Sequence, residues 1–113
     1  MSVKNGSTQV ALRWRYTLSA GSNLQTTAFS IADDGNSGDI GTIFHATNIV
    51  SVNNRNDYQT RFNISRSEVA TLIINEVTER EEAVYQCKLA VVGNVWTYEI
   101  RVIVLGENVN LCI

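Results

Sequence analysis

The sequence predicts an all-β fold, an antiparallel sandwich of two sheets, and three features of its 113 residues support this class. Apolar and polar residues alternate in several stretches, which is the pattern of strands with one buried face. Clusters of Gly, Asn, Asp and Ser separate these stretches about every eight to twelve residues, as turns do in such folds. No segment has a sustained helical period. We therefore expect one domain over residues 1–113, with its core in 8–105 and a tail or linker in 106–113.

The first half of the chain is expected to supply the early strands. Residues 2–7 fit a short strand or a loose start, and residues 10–18 fit a strand in which every second residue is apolar. After a polar turn, residues 24–32, 40–46 and 48–52 fit three further strands. The apolar face of the 10–18 strand consists of Val10, Leu12, Trp14, Tyr16 and Leu18. We expect this face to lie against the core.

The segment 33–39 is rich in turn-forming residues and admits two interpretations. Its Asp, Asn, Ser and Gly favour a hairpin loop between the neighbouring strands. Its three aspartates, Asp33, Asp34 and Asp39, together with Asn36, could instead bind calcium through oxygen atoms. The flanking helices and the terminal Glu of the helical calcium-binding loop are missing from the pattern. The hairpin loop is therefore the favoured interpretation, and no metal site is predicted.

The second half of the chain predicts four strands. Residues 58–65, rich in aromatic and β-branched residues, fit the first, and residues 71–75 fit the second. After a polar turn, apolar residues alternate again in residues 83–89, and after a turn at 92–94 they alternate in 96–104. These regular stretches are expected to lie side by side as a hairpin.

The most specific pattern in the chain lies in residues 71–87, TLIINEVTEREEAVYQC. A strand and a polar turn end in the spacing acidic-x-Ala-x-Tyr-x-Cys, formed by Glu81, Ala83, Tyr85 and Cys87. This spacing resembles the E–F corner and the F strand of a variable-type immunoglobulin domain, in which a Tyr stands two residues before the second cysteine. The resemblance extends over about residues 8–105 and implies an immunoglobulin-like antiparallel sandwich with variable-type topology.

The resemblance also implies structural roles for several residues. The hydroxyl of Tyr85 is expected to bond to the backbone of the corner, and Cys87 is expected to face the core. Arg61 stands in a segment similar to the start of the family's D strand, where an Arg pairs with the acidic residue ahead of the corner Tyr. Arg61 should therefore meet Glu81, with Glu82 as the substitute, and close one end of the sandwich. A partly exposed pair of this kind is expected to contribute ~1 kcal/mol.

The chain departs from the family's pattern at two positions. Trp14 stands where the first cysteine is expected, so the disulfide between the B and F strands is not formed. The core Trp of the C strand is also missing, and Phe29 is the best candidate for its place. Within the chain Cys87 can pair only with Cys112, which follows the last predicted strand. A Cys87–Cys112 bridge and a buried free Cys87 both stay open as alternatives.

Composition and charge argue against several classes of function. A formal net charge of −2 gives no support for binding to nucleic acid or to an anionic membrane. The single histidine, His45, has no recognisable catalytic or metal-binding companions. The sequence contains no glycine-rich phosphate loop. We therefore expect neither an enzyme nor a cofactor, metal or small-molecule substrate.

Two Asn-x-Ser sequons, at Asn5 and Asn63, favour a location outside the cell, where N-glycosylation takes place. If the alternation holds, one sheet turns a mixed set of small, apolar and oppositely charged residues outward, which is the composition of a modest protein interface. A plain solvent-facing sheet is the alternative. The candidate protein-binding residues are Ala28, Ser30, Phe44, Gln86, Lys88, Glu99, Arg101 and Ile103.

These features together predict an extracellular recognition or adhesion domain of a membrane-anchored protein, whose partner is another copy of itself or a related surface protein. An intact E–F corner without the first cysteine and the core Trp resembles invertebrate receptors of the immunoglobulin superfamily, such as the allorecognition proteins of colonial hydroids. That resemblance implies homophilic self/non-self recognition between opposed cells. A spacer domain, and a receptor or decoy module with a different ligand, are the alternative functions.

Overall fold

The computed structural model describes residues 1–18, 21–33 and 36–106, which fold into two packed sheets. The elements include one short helix, α1 (Tyr58–Arg61), and two single-turn 3-10 segments, Arg55–Asp57 and Glu79–Glu81. The strands are β1 (Ser2–Lys4), β2 (Thr8–Arg13), β3 (Thr26–Asp33), β4 (Asn36–Phe44), β5 (Ile49–Val52), β6 (Phe62–Ile64), β7 (Thr71–Glu76), β8 (Ala83–Val91) and β9 (Asn94–Leu105).

One sheet has six strands in the order β1-β9-β8-β3-β4-β5, and the other has three in the order β2-β7-β6. All neighbouring strands are antiparallel except β1, which runs parallel to β9 with Ser2 opposite Ile103. This arrangement confirms the predicted all-β sandwich. The hairpin of β8 and β9 closes through only two residues, Val92 and Gly93, and Gly93 has the positive φ of +85° that such a tight turn requires.

The predicted strand over 10–18 is shorter than expected, because β2 ends at Arg13. Its partner β7 begins at Thr71, directly opposite Arg13, so the chain beyond this point has no strand to pair with. The amide of Trp14 makes one more bond, to the carbonyl of Ala70 at 3.0 Å. The side chain of Trp14 is nevertheless buried, as alternation along the segment predicts.

The segment 33–39 is largely strand rather than loop, which corrects the sequence prediction. β3 continues to Asp33 and β4 begins at Asn36, and these two residues face each other across the ladder. The strands extend into the segment because the backbone groups of β3 and β4 continue to pair, with a bulge between Phe29 and Ser30. Asp34 lies outside the described residues, and the described part of the chain contains no cluster of three side chains suited to a metal ion.

Residues 58–65 do not form one strand, because α1 occupies their first half and β6 spans only Phe62–Ile64. The physical reason is the spacing of the apolar residues: a helical turn brings Tyr58 and Phe62, four residues apart, to the same face. Their rings meet edge to face with centroids 5.6 Å apart. Tyr and Thr favour strands in isolation, and the burial of this aromatic pair overrides that preference.

The core lies between the sheets. Gly41 is needed at its edge, since a Cβ there would overlap the carbonyl oxygen of Ser51 on β5. The absence of a side chain therefore allows β4 and β5 to pair closely in front of the core. The largest fully buried side chains are those of Tyr85, Phe29, Phe62, Leu12, Ile40, Ile64, Leu72, Ile74, Leu89, Glu81, Val77 and Val102.

Candidate protein-binding face

The corner between β7 and β8 is built around the buried carboxylate of Glu81, which is 2% exposed. Its Oε1 accepts a hydrogen bond from Nε of Arg61 at 3.1 Å. Its Oε2 accepts from the amide of Thr78 at 3.1 Å and from the Thr78 hydroxyl at 2.6 Å, which completes a capping box at the 3-10 turn. The hydroxyl of Tyr85 donates to the backbone carbonyl of Glu81 at 2.6 Å. The carboxylate and the backbone carbonyl of Glu81 are thus both hydrogen-bonded, and these bonds hold the corner together.

Aromatic rings enclose the other partner of this ion pair. The guanidinium carbon of Arg61 lies 5.0 Å from the ring centre of Phe62 and 5.3 Å from that of Tyr58. Burial, together with the nearby carboxylate of Glu81, raises the pKa of Tyr85 far above its ordinary value, so its hydroxyl stays a hydrogen-bond donor. Because these groups are enclosed, we assign this corner a role in stability rather than in binding.

Three of the candidate binding residues meet on the outward face of the six-stranded sheet. Ser30 lies opposite Gln86 and is only 7% exposed, which makes it a poor contact residue, and Gln86 lies opposite Glu99. The Gln86 amide donates to Oε2 of Glu99 at 2.9 Å, and the Ser30 hydroxyl donates to the Gln86 amide oxygen at 3.4 Å. In the adjacent row Ala28 lies opposite Lys88, whose side chain is exposed.

The remaining candidates lie at opposite ends of the sheet. Arg101 and Ile103 are exposed near the end of β9, where β1 joins it. Phe44 lies at the other end, close to the β8–β9 turn, because it pairs with Thr26 at the start of β3. The eight predicted residues therefore share one face but do not form a single cluster.

Phe44 belongs to a row of five residues that cross the sheet directly opposite one another. Ile49, Phe44 and Val95 in this row are 57%, 46% and 56% exposed, although they are large and apolar. Between them stand two smaller, half-buried side chains. We call this the apolar row; from β5 to β9 it consists of Ile49, Phe44, Thr26, Ala90 and Val95.

Sequence reasoning missed Ile49 and Val95 as surface candidates. Alternation in β9 turns Val95 outward because Trp96 and Tyr98 turn inward, so this half of the signal was present in the sequence. A shallow groove of about 710 Å³ borders the row between residues 23–26 and 44–49. The end of the sheet thus presents apolar surface both as a row and as a groove.

His45 stands at the edge of this groove and is engaged structurally. Its Nε2 lies 2.7 Å from the hydroxyl of the fully buried Thr27. Burial lowers the pKa of His45, which favours the neutral ring at physiological pH. The interaction to which the apolar row and its groove are suited is the burial of apolar surface against a partner.

Comparison with known proteins identifies the fold. No protein-family model and no curated protein matches the sequence. Among solved structures 363 chains match, and one of them is Tim-1, an immunoglobulin variable-domain protein. The match covers 95% of this chain and 93% of that chain, with a TM-score of 0.65 and 19% sequence identity. The chain has the fold of a variable-type immunoglobulin domain.

Within the immunoglobulin fold, β2 and β8 occupy the places of the strands that an inter-sheet disulfide commonly joins. Here Cys87 on β8 is a buried free thiol, and burial raises its pKa to about 12. The indole of Trp14 belongs to the same core, and its ring centre lies 5.5 Å from that of Phe29, the residue opposite Cys87 in the sheet. The indole nitrogen Nε1 has no hydrogen-bond partner among the described residues. Cys112, the predicted alternative partner of Cys87, lies outside the described residues.

Cys87 should resist alkylation in the native protein and react once the chain is unfolded. The reason is that its thiol is fully buried and protonated, whereas alkylating agents attack the exposed thiolate. Intact mass after non-reducing treatment with iodoacetamide in denaturant should show labels on both cysteines. If the denatured chain takes no label until a reductant is added, Cys87 and Cys112 are bridged and the free-thiol state is wrong.

The two sequons occupy different environments. Asn63 is exposed on β6, in the three-stranded sheet, with its Oδ1 accepting from the amide of Ile64 at 2.9 Å. Asn5 is half-buried in the turn after β1, and its amide donates to the carbonyl of Leu105 at 2.8 Å. Asn63 is therefore the more accessible acceptor. No helix in the described part of the chain has the length and apolar character to cross a bilayer.

Proposed function

We propose that this chain is an extracellular recognition domain that binds another copy of itself through the outward face of its six-stranded sheet. The observation that carries the proposal is the apolar row. Three large apolar side chains, each about half exposed, stand in one line across that face. Large apolar side chains that stay exposed on neighbouring strands often mark a binding site, and the centres of protein interfaces are rich in aromatic residues.

The charges of the face support a partner of the same kind. On the part of the face formed by β3, β4, β8 and β9, Lys88 and Arg101 are balanced by Asp39 and Glu99, and all four side chains are exposed. A face with a single sign of charge would select a partner of the opposite sign and repel its own copy. This balanced face does neither, so a second copy can approach it without net repulsion.

The three-stranded sheet has polar groups on its outward side, in contrast to the apolar row of the six-stranded sheet. Its outward side carries an exposed ion pair, with Nε of Arg13 2.9 Å from Oε2 of Glu68, and the accessible sequon residue Asn63. A glycan on Asn63 would cover the three-stranded sheet and leave the six-stranded sheet open. Modification at this site is therefore compatible with recognition through the apolar row.

A weak contact is sufficient for recognition at a cell surface. A single-domain interface of this size is expected to bury less than ~1,200 Å² and to bind at micromolar strength or weaker. Many copies displayed on membranes convert such contacts into stable adhesion. This is the setting of homophilic self/non-self recognition, and it requires the whole protein to be anchored to a membrane.

Self-association should depend on Phe44 and not on apolar surface elsewhere. We expect the wild-type chain to show concentration-dependent sedimentation and Phe44→Asp to weaken association about tenfold or more, because a carboxylate would be buried in the contact. The matched control is Val69→Asp, since Val69 is also apolar and 42% exposed but lies in the turn before β7. Beads coated with wild type or with the control should clump, and beads coated with Phe44→Asp should stay dispersed.

Two outcomes would overturn the proposal. A wild-type chain that sediments as a monomer at high concentration excludes self-binding and favours a heterophilic receptor or a spacer domain. Equal weakening by Phe44→Asp and Val69→Asp would show that association does not use the six-stranded sheet. Arg101→Glu should have a smaller effect than Phe44→Asp, because Arg101 lies toward the far end of the face.

A further inference from the structure

The side chains of the apolar row differ in size between the two sides of its centre, and the two sides are complementary. β3 is the middle of the five strands that the row crosses, with β4 and β5 on one side and β8 and β9 on the other. Reading outward from Thr26, one side has the large Phe44 followed by Ile49, and the other has the small Ala90 followed by Val95. A large residue at the first position on one side thus corresponds to a small one on the other.

The central strand itself carries only small, uncharged side chains on this face. Thr26, Ala28 and Ser30 point outward from β3, because Thr27 and Phe29 between them are fully buried. The charged residues of the face stand on flanking strands, Asp39 on β4 and Lys88 on β8. In a symmetric dimer any residue on the axis meets its own copy, so a charge there would be repelled and a large side chain would keep the strands apart.

We infer that two copies pack face to face about a twofold axis that runs along β3, so that Phe44 of each copy lies on Ala90 of the other. This inference rests on the proposed self-recognition and specifies its geometry. Rotation about that axis exchanges β4 with β8 and β5 with β9 between the copies. The large side chain of Phe44 then meets the small side chain of Ala90 twice, and Ile49 meets Val95 twice.

The same rotation places opposite charges near each other. Lys88 of one copy faces Thr42 of the other, because Lys88 and Thr42 both lie opposite Ala28 on β3. Asp39 stands on the same strand as Thr42, in the neighbouring row opposite Ser30. The separation of about 7 Å along the strand is within reach of a lysine side chain. The contact is therefore complementary in charge as well as in size.

An axis across the strands is the competing arrangement, and the row disfavours it. That axis would place Phe44 on Phe44 and Ala90 on Ala90, which leaves a gap beside the two aromatic rings. It would also place Lys88, Ala28 and Thr42, which form the next row along the strands, against the loops of the other copy rather than against its sheet. The axis along β3 instead keeps several rows in contact. It also points the two copies in the same direction, so domains on two opposed surfaces can form this pair only if each domain can turn relative to its anchor.

A pair of size variants tests this geometry by sedimentation. Ala90→Phe should weaken self-association about tenfold or more, because two phenylalanines would compete for one space on each side. Phe44→Ala should also weaken it about tenfold, because two alanines leave a gap. An equimolar mixture should associate nearly as tightly as wild type, since each phenylalanine then meets an alanine.

The outcomes separate this inference from the function on which it rests. If the wild type is a monomer, the proposed function itself fails. If the wild type associates but Ala90→Phe alone binds as tightly as wild type, or the mixture is no tighter than the single variants, only the axis along β3 is wrong. Ala90→Leu, a smaller addition on the same half-buried site, replaces Ala90→Phe if the latter does not fold by circular dichroism.

Discussion

Trp14→Ala is expected to lower the free energy of unfolding by about 3–5 kcal/mol, because it removes an indole from a closely packed interior. Trp14 is 6% exposed and packs against Phe29 at a centroid distance of 5.5 Å. Since Cys87 is a free thiol, no disulfide between described residues joins the two sheets. Urea denaturation of the wild type and of Trp14→Ala measures this difference in the free energy of unfolding. Trp96, the second tryptophan, is present in both proteins and reports unfolding through its fluorescence.

Trp14→Phe is the informative companion to that variant. It keeps an aromatic ring in the core and removes the indole N–H, which has no hydrogen-bond partner among the described residues. We expect it to retain more than half of the stability that Trp14→Ala loses. As a control, Val92→Ala alters a side chain that is 82% exposed and should change the free energy of unfolding by less than about 0.5 kcal/mol. Equal effects of Trp14→Ala and Val92→Ala would contradict the placement of the indole in the core.

Glu81→Ala should destabilise the fold to a similar extent, by about 3–5 kcal/mol, because it breaks an ion pair that is shielded from water. The side chains of Arg61 and Glu81 are only 13% and 2% exposed. The variant also removes the acceptor of the Thr78 amide and hydroxyl, so the capping box is lost together with the ion pair. Chemical denaturation monitored by circular dichroism gives the free energy of unfolding directly.

The protein contains a matched control for this variant in its exposed ion pair. Arg13 and Glu68 are 62% and 53% exposed, so Glu68→Ala should cost less than about 1 kcal/mol. The two variants delete the same kind of carboxylate, and only the burial and the bonded partners differ. Similar losses in Glu81→Ala and Glu68→Ala would show that the corner is solvated in solution.

The alternation of apolar residues was sufficient to predict most of the fold. In β8 and β9 each inward residue can be assigned from the sequence, since period-two alternation persists over the whole hairpin. The end of β2 could not be predicted in this way, because it depends on where its partner β7 begins. The helix α1 was missed because its stabilising contact, between Tyr58 and Phe62, is a tertiary burial effect.

The candidate face was predictable only in part. Alternation identifies which residues of one strand point outward, as it does for Gln86 and Lys88. It does not identify which strands become neighbours or the register in which they pair. Ile49, Phe44 and Val95 come from three strands and form one row only because of the pairings through β3 and β8.

The free thiol of Cys87 also has a consequence for how the chain folds. Many secreted domains must wait for oxidation and disulfide exchange, which take seconds to hours. The chain also contains no proline, so the slow isomerisation of X-Pro bonds does not arise either. Folding is then limited by the search for distant strand partners, such as β2 with β7, whose closure entropy slows sandwiches in general. Because no disulfide has to form between described residues, we expect this domain to refold at the same rate with and without a reductant.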